Sequence, residues 1–293
     1  MPLLDQHAGY AQHAAISSIR YQMPILSKKD SIWFRPQGVW TPTIDPGNIA
    51  YYTLFKPFDK GNFLYPRPPI DMGAFKTEGL LKCTQNVLRM PIKFPGTEYR
   101  IPVELASLIP LIERVSDYES FLNPDHEKVF AHITFDKSSV LPDEHHRFPG
   151  FHGDGFQGTK LTPKIVVEHS YIMTTSPPTE FCLQPFFVNH LDDAKHNIFM
   201  EFDKQAKENN IYKSIPNHLY LIDPYMVHRT PLIKEKVERL FIRITFSFSE
   251  LEHPKNTVNP LFPAYEYKDR IEVRQGLAEF DAEVPYNLYG LVK

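Results

Sequence analysis

The chain has 293 residues, 42% hydrophobic and 23% charged, with a formal net charge of −3. That composition excludes a disordered chain, and the near-neutral balance offers no basic surface of the kind that gives a protein affinity for nucleic acid. Two cysteines, Cys83 and Cys182, cannot frame a disulfide-stapled fold, and 27 Pro against 13 Gly favours short strands and rigid turns over long helical bundles.

In chain order, residues 1–26 hold only scattered apolar side chains, without the apolar core of a signal peptide. No run anywhere approaches the roughly 20 apolar residues of a membrane span, so a soluble, cytoplasmic protein is expected. From Phe34 to Met72 the chain is dense in Pro and aromatics, which reads as looped structure wrapped on a core. A helix is predicted near 103–122. Pro102 suits its start, Leu105, Leu108, Ile109, Ile112 and Val115 keep helical spacing, and Pro110 is expected to kink it.

The stretch 129–249 is rich in strands. Runs at 129–136, 165–175, 179–188, 217–223 and 239–249 are β-branched or aromatic and end at Pro, Asp or Asn. A helix is predicted within 192–210, capped by Asp192 or Asp193. The tail 250–293 is polar, with one short helix expected around Asp269 to Asp281. No linker interrupts the chain. It reads as one domain, 1–293: a wrap over 1–128, a core over 129–249 and an extension over 250–293.

The chemistry concentrates in FPGFHGDGFQG, residues 148–158. His152 and Asp154 are two apart, so on an extended backbone both face one way and can share a metal ion. Gly150, Gly153, Gly155 and Gly158 let the chain turn tightly there. Alone, His-x-Asp describes many solvated loops. His228, which closes a strand in LIDPYMVHRTP, supplies a third ligand, and two His with one carboxylate form the facial triad of non-haem iron sites. His190 and Asp192 make a second His-x-Asp too close to His228 in sequence to close such a site. His145 and His146 read as a solvated loop, His169 as a satisfied core residue. Gln184 reads equally as a ligand contact or a strand-edge residue.

RLFIRITFS, residues 239–247, alternates. Leu240, Ile242, Ile244 and Phe246 should pack against a covering layer, while Arg239, Phe241, Arg243, Thr245 and Ser247 line the interior. A buried Arg243 requires an anion, and no carboxylate stands beside it in sequence. A bound dicarboxylate would serve, because a guanidinium grips a carboxylate through two parallel hydrogen bonds.

His152-x-Asp154, His228 and Arg243-x-Thr245, in that order on a strand-rich chain, resemble the Fe(II)/2-oxoglutarate-dependent oxygenases. The resemblance covers about 129–249. It implies a mainly β fold with flanking helices: a double-stranded β-helix, the jelly-roll of cupin-like proteins. It implies Fe(II) held by His152, Asp154 and His228, with 2-oxoglutarate and O2 as cosubstrates. Arg243 and Thr245 would hold the far carboxylate of 2-oxoglutarate. Arg239 is a second candidate for a carboxylate, and Tyr171, on strand geometry, a third. The expected substrate is a small molecule such as an amino acid, peptide or natural-product intermediate, with no nucleic-acid or membrane partner. Iron chemistry without 2-oxoglutarate, with Arg243 on the substrate's own carboxylate, and a jelly-roll that binds a metal without turnover remain open alternatives.

Overall fold

The computed structural model describes residues 32–34, 57–147, 150–154, 168–192, 195–248, 250 and 256–262. Its strands are β1 (Ile32–Phe34), β2 (Ile70–Ala74), β3 (Val87–Lys93), β4 (Tyr99–Ile101), β5 (Phe130–Val140), β6 (His169–Thr174), β7 (Glu180–Cys182), β8 (Ile211–Lys213), β9 (His218–Ile222), β10 (His228–Arg229) and β11 (Val237–Ser247). Its helices are α1 (Ile109–Leu122) and α2 (Ile198–Gln205), with short 3-10 turns between elements. The structure is mainly β and antiparallel. Six strands lie in the order β2-β9-β6-β11-β5-β3, three in the order β10-β7-β8, and β1 pairs with β4.

The alternation of β11 places it at the centre of the large sheet, between β5 and β6. Leu240, Ile242, Ile244 and Phe246 are buried in one cluster with Leu111, Ile112, Val115, Tyr118 and Leu122 of α1, which forms the covering layer. Each such side chain removed from water contributes about 2 kcal/mol. Pro110 does not kink a continuous helix. A 3-10 turn over Val103–Leu108 leads into α1, and Pro110 falls in the first turn of α1, where a missing N–H costs nothing. The helix stops at Asn123, whose extended backbone is what a following proline, Pro124, imposes.

The other face of the large sheet meets the small sheet. Ile172 and Ile222 pack there against Phe181 and Met226. Helix α2 covers the outer side of the small sheet through Ile198, Phe199 and Phe202, which cluster with Cys182, Val227 and Phe151. It is shorter than the sequence predicts, and Asn197 rather than Asp192 caps it, accepting from the Phe199 and Met200 amides at 3.0 and 3.3 Å. The run expected over 179–188 keeps strand form only at Glu180–Cys182.

Two strands from the expected wrap, β2 and β3, form the edges of the large sheet, so its framework begins well before residue 129. The helix expected around 269–281 lies outside the described residues. Among the described residues, no helix is long and apolar enough to cross a membrane.

Candidate metal centre

His152 and His228 are brought together by backbone. Each donates its amide to the other's carbonyl at 2.9 Å, an isolated antiparallel bridge that extends the small sheet by one residue beyond β10. Their ring centroids lie 4.5 Å apart. Asp154 sits in the turn that follows, with Oδ2 3.9 Å from His228 Nε2. One ligand atom from each of His152, Asp154 and His228 falls within 4.8 Å of the others, the one such group among the described residues.

The imidazole tautomers follow from their partners. His152 Nδ1 is 3.0 Å from the Gly150 carbonyl, and His228 Nδ1 is 2.8 Å from the Met226 carbonyl. A carbonyl only accepts, so both Nδ1 atoms carry the proton and both Nε2 lone pairs are left for a metal. Burial, then the nearby His228 imidazole and Arg243, push His152 down to about 3, against the smaller opposing pull of Asp154 and the Gly150 carbonyl. The ring is therefore neutral, as coordination requires. Burial alone would raise the Asp154 carboxyl, but the Arg243 guanidinium and the two imidazoles outweigh it and hold the group well below its ordinary range. Two imidazoles whose Nδ1 atoms are engaged by carbonyls, beside an ionised carboxylate, fit a divalent transition metal.

Arg243 lies behind this group on the inner face of β11. The carboxylate that the sequence did not reveal is Asp154 itself, whose Oδ1 accepts from Arg243 Nη1. Thr245 shares that face, with its hydroxyl 2.9 Å from that of Ser170 on β6. Beyond them Thr134 accepts the Arg89 amide at 3.1 Å, and buried His132 is pushed down to about 3 by burial and by Arg89. Glu168, immediately before β6, is raised to about 8 because burial outweighs the pull of Arg243 and Arg89. Sequence reasoning missed Glu168 and Ser170. Their signal was strand parity, since both alternate with His169 and Tyr171, but the sequence does not show which strand lies alongside, and it is the pairing of Ser170 with Thr245 that puts both on the inner face.

Two expected contacts are corrected. Tyr171 points to the opposite face of β6. It is fully buried against α1, and its hydroxyl donates to Glu119 at 3.0 Å beside His169 Nδ1, 2.9 Å from the same oxygen. Alternation sends every second residue of β6 to the helix layer, and Tyr171 and His169 belong to that set. Arg239 shares a face with Arg243, but lies four positions along β11, about 13 Å at strand rise. Its Nε donates to the Pro177 carbonyl and its Nη1 to His146 Nδ1, both at 2.9 Å. His146 is consequently no solvated loop residue: it is buried, with Nε2 3.2 Å from Asp136, which also pairs with Arg147. His145 meets the Thr230 carbonyl at 3.1 Å. Gln184 serves structure, accepting from the Lys207 amide and the Asn210 side chain. His190 and Asp192 are exposed at a turn and are not part of the His152, Asp154 and His228 group.

No protein-family model matches the chain, and no curated protein matches it either. Among solved structures, the chain is similar to EvdO2 from Micromonospora carbonacea var. aurantiaca, at 12% identity over 60% of this chain and 74% of that one, with a TM-score of 0.31.

Proposed function

We propose that this chain is a non-haem Fe(II)- and 2-oxoglutarate-dependent oxygenase with a double-stranded β-helix core, acting on a small molecule in the cytoplasm. The observation that carries the reading is the convergence of His152, Asp154 and His228 in front of Arg243 and Thr245 on the adjoining sheet. The path of the chain supports the fold. From β5 onward it passes from the large sheet to the His152 bridge, back to β6, across to β7 and β8, back to β9, across to β10 and back to β11. Such alternation between two facing antiparallel sheets is how a jelly-roll is wound.

Fe(II) with 2-oxoglutarate and O2 supplies oxidative decarboxylation to succinate and CO2, coupled to oxidation of a substrate C–H bond. The protein's part is to position and to exclude. His152 and His228 present Nε2 while the Gly150 and Met226 carbonyls fix their rings. Asp154 and Arg243 satisfy each other, and metal with dicarboxylate would exchange those partners: the carboxylate of Asp154 turns to the metal, and the guanidinium of Arg243 to the incoming carboxylate. Thr245 and Ser170 add hydroxyls beside that guanidinium. Ile172, Phe181 and Met226 form an apolar wall between the sheets that keeps water from the site.

The test is stoichiometric. Protein loaded with Fe(II) without oxygen, then given O2, 2-oxoglutarate and pooled metabolites, should release one succinate and one CO2 for each substrate oxidised. Substrate oxidation with no succinate would instead assign Arg243 to the substrate's own carboxylate. No response of O2 uptake to Fe(II) and 2-oxoglutarate under any condition would leave a binding module.

A further inference from the structure

Behind His152 stands a second carboxylate, on α2. Asp203 Oδ1 accepts the Phe151 amide at 2.7 Å. That N–H belongs to the same peptide group as the Gly150 carbonyl, and the Gly150 carbonyl accepts from His152 Nδ1 at 3.0 Å. One peptide plane is thus held at one end by Asp203 and, at the other, holds the imidazole. We propose that Asp203 is a positioning residue for the metal centre, acting through this peptide to fix the tautomer and orientation of His152. The inference rests on the metal-centre reading above and adds a residue to it.

Two further observations point the same way. Gly150 has φ +120°, a region closed to other residues, and a Cβ there would lie 2.7 Å from Asp203 Oδ2. The backbone and the carboxylate are therefore fitted to each other. Phe151 is capped by the Arg229 guanidinium, 4.5 Å from its ring centroid, and Arg229 is itself tied to Glu180 at 2.8 Å and to Glu208 at 3.0 Å. The peptide is held from the α2 side by Asp203 and along the small sheet by the ring that follows it. Metal-binding imidazoles are commonly oriented by a carboxylate on the remote ring nitrogen, whose loss typically weakens the metal about 10- to 100-fold. Here a peptide stands between the carboxylate and the ring. Hydrogen bonding at its N–H polarises its C=O, which strengthens the bond to Nδ1–H.

The test is metal binding, with Co(II) as a probe whose visible absorption reports ligand geometry, and the 15N shifts of His152 in the metal-free protein. Ala is the better helix former, which offsets part of the bond lost at the Phe151 amide, so Asp203→Ala should fold with a thermal midpoint only a few degrees lower. It should nevertheless bind Co(II) about 10-fold more weakly, with an altered spectrum, and show His152 losing its Nδ1–H preference. Asp203→Asn, which keeps an oxygen for the Phe151 amide, should restore affinity to within about 3-fold of wild type, the scale of a retained neutral hydrogen bond. Wild-type affinity and spectrum in Asp203→Ala, or an equal loss in both variants, overturns the proposal and leaves the metal centre standing. Failure of the wild-type protein to bind Co(II) overturns both.

Discussion

At the scale of single residues, the charge pairing at the site separates roles that the sequence left merged. Arg243 meets a carboxylate at the triad, whereas Arg239, on the same face of the same strand, spends its guanidinium on Pro177 and His146. On the proposed function, Arg243→Ala should raise the 2-oxoglutarate concentration for half-maximal turnover by about 100-fold or more, as expected for loss of a charged bidentate contact of about 3 kcal/mol. The Fe(II) requirement should move far less, and initial rates against each component separate the two. Tyr171→Phe should leave the 2-oxoglutarate requirement at its wild-type value and lower stability by about 2 kcal/mol, the worth of a buried hydrogen bond to a charged group. Denaturant unfolding beside a turnover assay checks this. A changed cosubstrate requirement would return Tyr171 to the pocket. That His152, Asp154 and His228 would converge, and that Arg243 and Thr245 would share one inward face, was legible because motif spacing and strand alternation need no knowledge of neighbours. Glu168, Ser170 and Asp203 were not, because each matters through a residue distant in sequence.

At the scale of elements, strict periodicity was readable and interrupted periodicity was not. β11 alternates without a break and α1 keeps its apolar spacing, and both stand where the pattern predicts. β3 carries Pro91 and a positive φ at Arg89, with two register shifts against β5, so its period is broken and the sequence shows no strand signal there. Proline is tolerated there because β3 is an edge strand, whose free side meets Thr257 and Asn259 instead of another strand. The start of β11 and the loop before His152 are joined by the buried cluster of Arg239, His146 and Asp136, with half-buried Arg147 at its edge. Arg239→Ala should destabilise the protein by about 2–3 kcal/mol, since the Pro177 carbonyl and His146 lose a buried charged donor. Its cosubstrate requirement, measured on the folded fraction, should stay within about 3-fold of wild type, as expected for a site of independent charges. A selective loss of 2-oxoglutarate binding would contradict the placement.

At the scale of the whole molecule, the interior titrates in one dominant direction. Burial lowers His132 and His152 to about 3 and also lowers His145 and His146. Unfolded, these imidazoles take protons near pH 6.5, so the unfolded chain binds protons first and the stability they confer above that pH is lost as acid carries it toward 3. Glu168 runs the other way. Raised from 4.5 to about 8, its contribution to stability is full below pH 4.5 and is lost as pH climbs from there to about 8, beyond which the carboxylate is ionised in both states. The thermal midpoint of the metal-free protein should fall steadily from pH 6.5 to 4, and Glu168→Gln should raise it at pH 9 but not at pH 4. A midpoint that climbs between pH 7 and 5 would show that the buried histidines are not neutral. The reciprocal bridge between His152 and His228 has a topological side as well. An ion gripped by both rings is a cross-link between chain positions about 75 residues apart, and closing a loop of that length removes freedom from the unfolded chain worth about 4 kcal/mol, much as a disulfide would. The site would then be a clasp as well as a reaction centre, drawing β6 through β9 into a closed ring of chain.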